Sequence, residues 1–486
     1  MKSMTSTRSS EHNRNHLSRR TFLRITTGVA AGVSIVPGSV LGLNGAEAAS
    51  NRLNIAGIGV GGQGASDLSG LAKQNIVALC DVDESRAAGA FGRYPQAKRF
   101  SDYRVMLDEM KEIDAVIVAT PDHMHAPASI EAMNRGKHVY CEKPLTHTVW
   151  ESRHVAGEAR KAKLATQMGN QGQASDSTRR LSECIWSGVL GKVTEAHIWT
   201  DRPSRGLHGV YWPQGIERPT DQPPVPTGMH WKLWLGVAPE RPYHPSYAPF
   251  NWRGWWDFGT GALGDIGCHS MDPVFRALKL GAPKRVQASS SRVNRETYPL
   301  ASMVTYHFPA RTEAVQANNV HVQGLEGAKA GAIAMPPCKL VWYDGGLRPP
   351  RPEALPPGVM MGDSGRLIIG EKGFILADRI FLFDGSEPKP PESFIPPSAG
   401  HFVEWVNACK GGKPAGVNFD WAGPLSEAVL LGNVALRPEL REDLTLSWLE
   451  WDTEKLAFTN MEEANKFLYP PYKPAPEKSA PEKTGA

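Results

Sequence analysis

The stretch RLNIAGIGVGGQGASDLSGLA, residues 52–72, runs an apolar strand into a cluster of glycines and out into a helix. No other short stretch restricts the fold of this chain as much. The glycines permit a tight turn and a close approach of backbone to a bound anion, and the helix that follows points its positive end at the same spot. Further apolar runs, NIVALCDVD, IDAVIVATP, GKHVYCEKPL and LATQMGNQ, recur between helical stretches. Short strands alternating with helices imply βαβ units and a doubly wound parallel sheet. Residues 51–170 are therefore expected to form a Rossmann domain.

The texture changes beyond it. GKVTEAHIWTDRP, KRVQASSSRV, SMVTYHFPA, KLVWYDGG and GRLIIGEKGFILAD read as strands, some joined by Gly turns. They predict an α/β domain with an open, mainly antiparallel sheet over residues 171–445. Residues 203–256, rich in Pro and Trp, are too rigid and aromatic for a flexible linker. HFVEWVNACKGG and AGPLSEAVLLGNVALRP read as helices, and the Pro/Lys/Glu-rich residues 470–486 as a disordered tail.

At 486 residues the chain is too long for one compact core. Its 41% hydrophobic and 21% charged composition is that of a soluble globular protein. The net charge of +4 leaves no basic face to argue for nucleic acid. Residues 18–23, SRRTFL, carry paired Arg19 and Arg20 before an apolar Gly/Ala-rich stretch, and AEA at 46–48 offers a small-x-small cleavage pattern. Residues 1–48 thus read as a twin-arginine signal, with the export machinery as partner and a periplasmic or otherwise exported location, the alternative being a membrane-anchoring N-terminus. Six cysteines without a C-x-x-C arrangement predict neither a disulfide framework nor a structural zinc, and Cys80 and Cys141 read as small buried residues.

Within the first strand–turn–helix unit, Gly57, Gly59 and Gly62 fit G-x-G-x-x-G. Asp81 closes the second strand about 20 residues on, where a carboxylate accepts hydrogen bonds from ribose hydroxyls. The set predicts a dinucleotide site. Asp81 favours NAD, because a carboxylate repels a 2′-phosphate, although the nearby Arg86 leaves NADP open. Thr120, Pro121 and His125 end the third apolar strand at its carboxyl edge, where ligands bind in open α/β sheets. His123 and His125 form H-x-H, but no carboxylate or thiolate beside them completes a metal site, so no metal is expected. Glu142 and Lys143 end the next strand, where a lysine can bind a substrate hydroxyl and stabilise the charge left as its proton departs. Asn170 and Gln171 are candidates to line the nicotinamide.

In GDIGCH, Asp265 and His269 lie four apart on a predicted helix and so share one face. Ahead of them, WRGWWDFGTGALGD contributes Trp252, Arg253 and Trp256, side chains that a polyhydroxylated ring could meet; Arg180, Tyr211, His230 and Trp231 are weaker candidates.

The ordered set GIGVGG, CDVD, ATPDHMH, YCEKPL and GDIGCH resembles the Gfo/Idh/MocA oxidoreductases, a likeness that runs from about residue 52 to 445. The resemblance implies a Rossmann domain followed by a substrate and oligomerisation domain, a homo-oligomeric assembly, and hydride transfer between nicotinamide and a hydroxyl-bearing carbon of a sugar, glycoside or polyol. It further implies that His269 is the base, that Asp265 orients or tunes it, and that Lys143 polarises the same oxygen. Export together with a dinucleotide suggests a cofactor loaded beforehand and held tightly. An NAD-dependent glycoside hydrolase using transient oxidation is the alternative, and a non-catalytic sugar-binding protein a further one.

Overall fold

The first sheet follows directly from the alternating pattern. In the computed structural model, which describes residues 51–311, 335–441 and 448–472, six strands are β1 (Asn54–Ile58), β2 (Asn75–Cys80), β3 (Lys98–Phe100), β4 (Ala115–Val118), β5 (His138–Cys141) and β6 (Thr166–Met168). They stand in the order β3-β2-β1-β4-β5-β6, every pair parallel. The connecting helices are α1 (Gln63–Gly70), α2 (Glu84–Arg93), α3 (Tyr103–Glu109), α4 (His125–Met133) and α5 (Val149–Ala162). Strands buried on both faces need continuous apolar runs, and β4, AVIV, is buried at every position. Local signals set the helix starts: Thr148 and Glu151 form a capping box ahead of α5, and Asp83 caps α2 by accepting from Arg86 N.

The second sheet has nine strands among the described residues, in the order β13-β12-β11-β7-β10-β9-β8-β14-β15. These are β7 (Val193–Trp199), β8 (Arg285–Ser290), β9 (Ser302–Phe308), β10 (Cys338–Tyr343), β11 (Gly365–Gly370), β12 (Gly373–Leu376), β13 (Arg379–Leu382), β14 (Leu449–Asp452) and β15 (Ala457–Phe458). Only β7 and β10 pair in parallel, so the predicted mainly antiparallel character holds. Strand β9 shows the expected alternation, with every second side chain buried.

Two boundaries differ from the sequence expectation. Strand β14 pairs with β8 by Leu449↔Val286, so the second sheet extends past residue 445. The segment following it ends in an ordered contact, Tyr472 Oη donating to Glu151 Oε1, so residues 470–472 are not a free tail. Residues 1–50, where the signal is expected, and residues 473–486 lie outside the described residues. The sheet is also less open than expected: Leu355, Val359 and Met361 pack on Trp199, Val341 and Phe374, covering part of its outer face.

Helix α6 (Asp176–Trp186) packs on α8 (Gly261–Leu278), which meets β7, and α10 (Phe419–Ala435) meets β8 and β9, whereas the short α7 (Trp231–Leu235) lies in the aromatic segment and α9 (His401–Cys409) packs on β6 of the first sheet. Helix α10 lies between α8 and α5, so it touches both domains. Two glycines set its approach: a Cβ at Gly432 would meet Tyr306 Oη at 2.1 Å, and one at Gly423 would meet Ser152 O at 3.2 Å. From Leu53 onward the chain forms one unit, and a single apolar core runs from Val118 and Val139 through Leu425 to Leu263 and Val304. Helix α8 is anchored in it by Phe275, 2% exposed and edge-on to Phe308 at 5.6 Å between ring centres.

Phe275→Ala is expected to cost about 3–5 kcal/mol, a cavity penalty as well as lost burial. Urea unfolding reads this as a lowered midpoint, and an unchanged midpoint would show that α8 is not held by this contact.

Candidate active site

Helix α8 begins in a way that presents its polar face to the junction of the two domains. Thr260, the residue before it, does not cap the helix with its side chain; its hydroxyl donates to Asp122 Oδ2 at 2.6 Å. Asn433 of α10 donates to Thr260 O at 2.9 Å, fixing the helix start from the other side. Asp265 and His269 then stand one turn apart and line one cavity of about 420 Å³. The same cavity is lined by Gly59, Gly61, Asp81, Thr120, Pro121, His125, Glu142, Lys143 and Gln171 from the Rossmann domain, and by Trp252 and Arg253 from the aromatic segment.

Of the two roles the resemblance implies for Asp265, orienting His269 or tuning it, its hydrogen bonds do not supply the first, while its charge acts on the imidazole. Asp265 Oδ1 accepts from Lys143 Nζ at 2.9 Å and from Arg253 Nε at 3.1 Å, and its backbone oxygen accepts from Lys143 Nζ at 2.7 Å. Burial would raise the Asp265 value, yet Lys143 and Arg253 hold the carboxyl well below the ordinary carboxylate range. Burial works against the Lys143 charge too, and the Asp265 carboxylate more than offsets it, lifting the ammonium above its usual value. The pair stays ionised.

His269 is oriented instead by Asn170. The Asn170 amide nitrogen donates to Cys268 O at 3.0 Å, which turns its Oδ1 toward His269 Nδ1 at 2.7 Å. An amide oxygen can only accept, so Nδ1 carries the proton and the Nε2 lone pair is left for the cavity. Burial and the Lys143 ammonium push His269 down to about 3, against the pull of Asp265. The imidazole is thus neutral across the physiological range and already in the tautomer a base requires.

The cofactor candidates divide in the same way. Gly59 has φ +76, and a Cβ there would meet Ala119 O at 2.7 Å, so the turn requires glycine. Asp81 is drawn into the turn, its Oδ2 accepting from Val60 N at 2.8 Å and Gly61 N at 3.2 Å, while burial raises its value. Gly57 and Gly62 shape the turn from outside the cavity lining: a Cβ at Gly57 would meet Val60 Cγ1 at 2.7 Å, and at Gly62 the Arg86 guanidinium at 2.8 Å. Thr120 Oγ1 is buried without a partner, an unfilled demand that a ribose or phosphate oxygen of a dinucleotide would satisfy. The donor set, the Cβ-free turn and this orphan hydroxyl fit NAD, held by Gly59, Gly61, Asp81, Thr120 and Gln171. Glu142 accepts from Gln171 Nε2 at 3.2 Å; burial pushes up both Glu142 and Asp67, the latter also raised by the Glu142 charge, and no motif in the chain points to Asp67.

Other expected residues are placed otherwise: Asn170, 1% exposed, holds His269 from outside the cavity lining instead of lining the nicotinamide, and His230 and Trp231 do not line the cavity. His125 reaches the cavity, but its ring nitrogens face Pro144 O at 2.7 Å and Thr120 O at 2.9 Å, so it supports the loop. Arg180 is paired with Glu183 at 2.6 Å and lies away from the cavity, because α6 faces the other way. Trp256 does not line the cavity; it packs on Tyr298 and is capped by Arg437, so it is core rather than sugar platform. Side chains not singled out by the sequence fill their place: Trp212, Leu233, Trp234 and Phe250, together with Arg202 stacked on Tyr211 at 3.4 Å.

Residues 53–170 match a model described as the oxidoreductase family's NAD-binding Rossmann fold, and residues 177–320 its C-terminal alpha/beta domain. Inositol 2-dehydrogenase of Salmonella paratyphi B is 30% identical over 146 residues, which are 29% of this chain and 43% of that protein. D-glucoside 3-dehydrogenase of Escherichia coli is 30% identical over 215 residues, 44% of this chain and 50% of that protein. The chain thus spans half or less of the length of these relatives. Among solved structures, the WlbA dehydrogenase from Bordetella pertussis in complex with NADH and UDP-GlcNAcA shares the fold, with TM-score 0.53 and 16% identity over 82% of this chain and all of that one.

Two outcomes follow from the geometry. Asn170→Ala frees the His269 ring and is expected to lower kcat on the order of 100-fold with KM little changed; steady-state kinetics that leave kcat intact would remove Asn170 from its role. Asp265→Asn leaves the Lys143 ammonium buried alone and is expected to cost about 3–5 kcal/mol at neutral pH. Since the folded Asp265 value lies below the unfolded one, its contribution is complete above about pH 4 and fades as the pH falls through the lower folded value. The gap between wild-type and Asp265→Asn urea midpoints should therefore narrow on acidification below pH 4, and a constant gap would contradict the pairing.

Proposed function

The chain belongs to the Gfo/Idh/MocA oxidoreductases, and from that premise we propose that it oxidises a secondary hydroxyl of a sugar, glycoside or polyol. NAD, when bound, is the acceptor of the carbon-bound hydrogen and its electron pair. His269 Nε2 takes the hydroxyl proton. Lys143 spends two N–H groups on Asp265 and keeps a third for the substrate oxygen, where it stabilises the charge that develops as the O–H bond breaks. Asn170 keeps the imidazole in its basic tautomer. The observation that carries the reading is the convergence of a neutral, pre-oriented imidazole and a buried ammonium on the cavity that holds the glycine turn and Asp81.

The twin-arginine motif supports export as part of the same proposal. Outside the cytoplasm a dinucleotide cannot be drawn from a pool, so the enzyme would carry its NAD and regenerate it within the active site. Oxidising one sugar while reducing another meets that requirement, and the aromatic wall formed by Trp212, Trp234 and Trp252 suits the C–H faces of such rings.

Purified protein mixed with inositols, aldoses and alkyl glycosides should give reduced-nicotinamide fluorescence in a single turnover with at least one of them. Lys143→Ala and His269→Ala should each slow that step by roughly 10²–10⁴-fold. Unchanged rates in both variants would refute the assigned roles. Release of aglycone without an accumulating keto-sugar would instead favour the glycosidase chemistry.

A further inference from the structure

The aromatic segment that follows β7 is held to its own domain near residues 294–299, by Gly215 N donating to Tyr298 O and by the Trp255–Thr297 bridge, yet it does not stay there. It returns to the Rossmann domain and is fastened there at both sides of the glycine turn. On one side, immediately after Asp81, Glu84 N donates to Gly228 O at 3.0 Å, His230 N donates to Val82 O at 2.8 Å, and Asp83 and Met229 form an antiparallel bridge. On the other side, at the end of β4, His123 N donates to Phe258 O at 3.3 Å, and the buried His123 ring lies between Trp234 O at 3.1 Å and Phe258 O at 3.2 Å. Gly236 is seated on Met124 so closely that a Cβ would meet its sulfur at 2.1 Å.

Strands β2 and β4 are the two neighbours of β1, so these fastenings straddle the strand that ends in the glycine turn. A dinucleotide lies across that strand end with one half to each side. The bridging stretch between the fastenings, including Leu233 and Trp234, lines the same cavity as Asp81 and Thr120. It is also stiff: Trp231 stacks on Trp234 at 4.8 Å, Trp234 meets Phe258 edge-on at 4.9 Å, and Tyr247 meets Trp255 at 4.6 Å.

We propose that residues 226–258 are a clasp across the dinucleotide crevice that retains NAD through many turnovers, making it a resident group rather than an exchanging cosubstrate. This rests on the reading of the cavity as a nicotinamide-dinucleotide site. Exchange through the clasp requires breaking the backbone bonds to Val82 and Glu84 or releasing the His123 contacts, and either opening exposes the tryptophan cluster to water.

The Asp83–Met229 bridge provides a reversible test. Asp83→Cys combined with Met229→Cys, loaded with NAD and then oxidised, ties the clasp shut. Mass spectrometry follows the exchange of bound NAD for isotopically labelled NAD in the disulfide and dithiol forms of the same protein, in the native enzyme, and in His123→Ala. The disulfide is expected to slow exchange roughly tenfold or more, with recovery on reduction, and His123→Ala to speed it by a similar factor. The native enzyme should keep its NAD through prolonged dialysis. Equal exchange in all four samples, or a native enzyme emptied by dialysis, overturns the clasp while leaving the oxidation chemistry standing. A protein that takes up no dinucleotide in any form overturns the clasp and the cofactor reading together.

Discussion

One ammonium group ties the two domains into a working arrangement. Lys143 leaves the end of β5 and meets Asp265 on α8, with side chains only 12% and 13% exposed. Neither charge could be buried alone without a penalty of several kcal/mol, so each domain supplies what the other lacks. Arg253 reaches the same Asp265 oxygen from the aromatic segment, which brings a third part of the chain into one contact. Because Lys143 Nζ also donates to the Asp265 backbone carbonyl, it holds the helix by its main chain as well as by the carboxylate. His269, one turn further on, inherits its position.

The same ammonium then reinforces what burial does to its neighbour's protonation state. Burial disfavours a charged imidazole, and a cation beside it disfavours that charge further. Asp265 could have served as a competing base, but Lys143 and Arg253 hold its carboxyl well below the ordinary carboxylate range and so make it a weak proton acceptor. Proton acceptance is left to His269, whose free nitrogen is selected by Asn170. A rule that assigns the acid of a helical D-x-x-x-H pair to its own histidine thus fails here for a physical reason: the carboxylate goes to the stronger charge.

What the sequence made legible was what is local or periodic. The glycine turn, the β2 carboxylate and the strand ends depend on residues close together in the chain, and they stand where the pattern put them. The convergence of Lys143 with α8 was legible only through the resemblance, since 122 residues separate Lys143 from Asp265. The Asn170–His269 bond spans 99 residues and leaves no trace in either stretch. Trp256 and Arg180 were misplaced because an aromatic or basic side chain looks the same in sequence whether it faces a ligand, a core or a salt bridge. Residues 203–256 were recognised as rigid, but their attachment to Val82, Glu84 and His123 arises from backbone groups that carry no sequence signature.

Charge balance at the center of the cavity gives the arrangement a direction. Lys143 and Arg253 share one carboxylate oxygen, so the trio carries a net positive charge beside a neutral imidazole. Such a site favours an oxygen that is losing its proton over one that keeps it, which is the requirement for oxidising an alcohol. Asp122 modulates this from below: burial pushes it up to about 6, against the Thr260 hydroxyl and Lys143, so its negative charge develops as the pH rises above that value. Lys143, its side chain only 12% exposed, acts with little screening by water, and it can be buried in this way only because Asp265 already stabilises the charge in the absence of substrate.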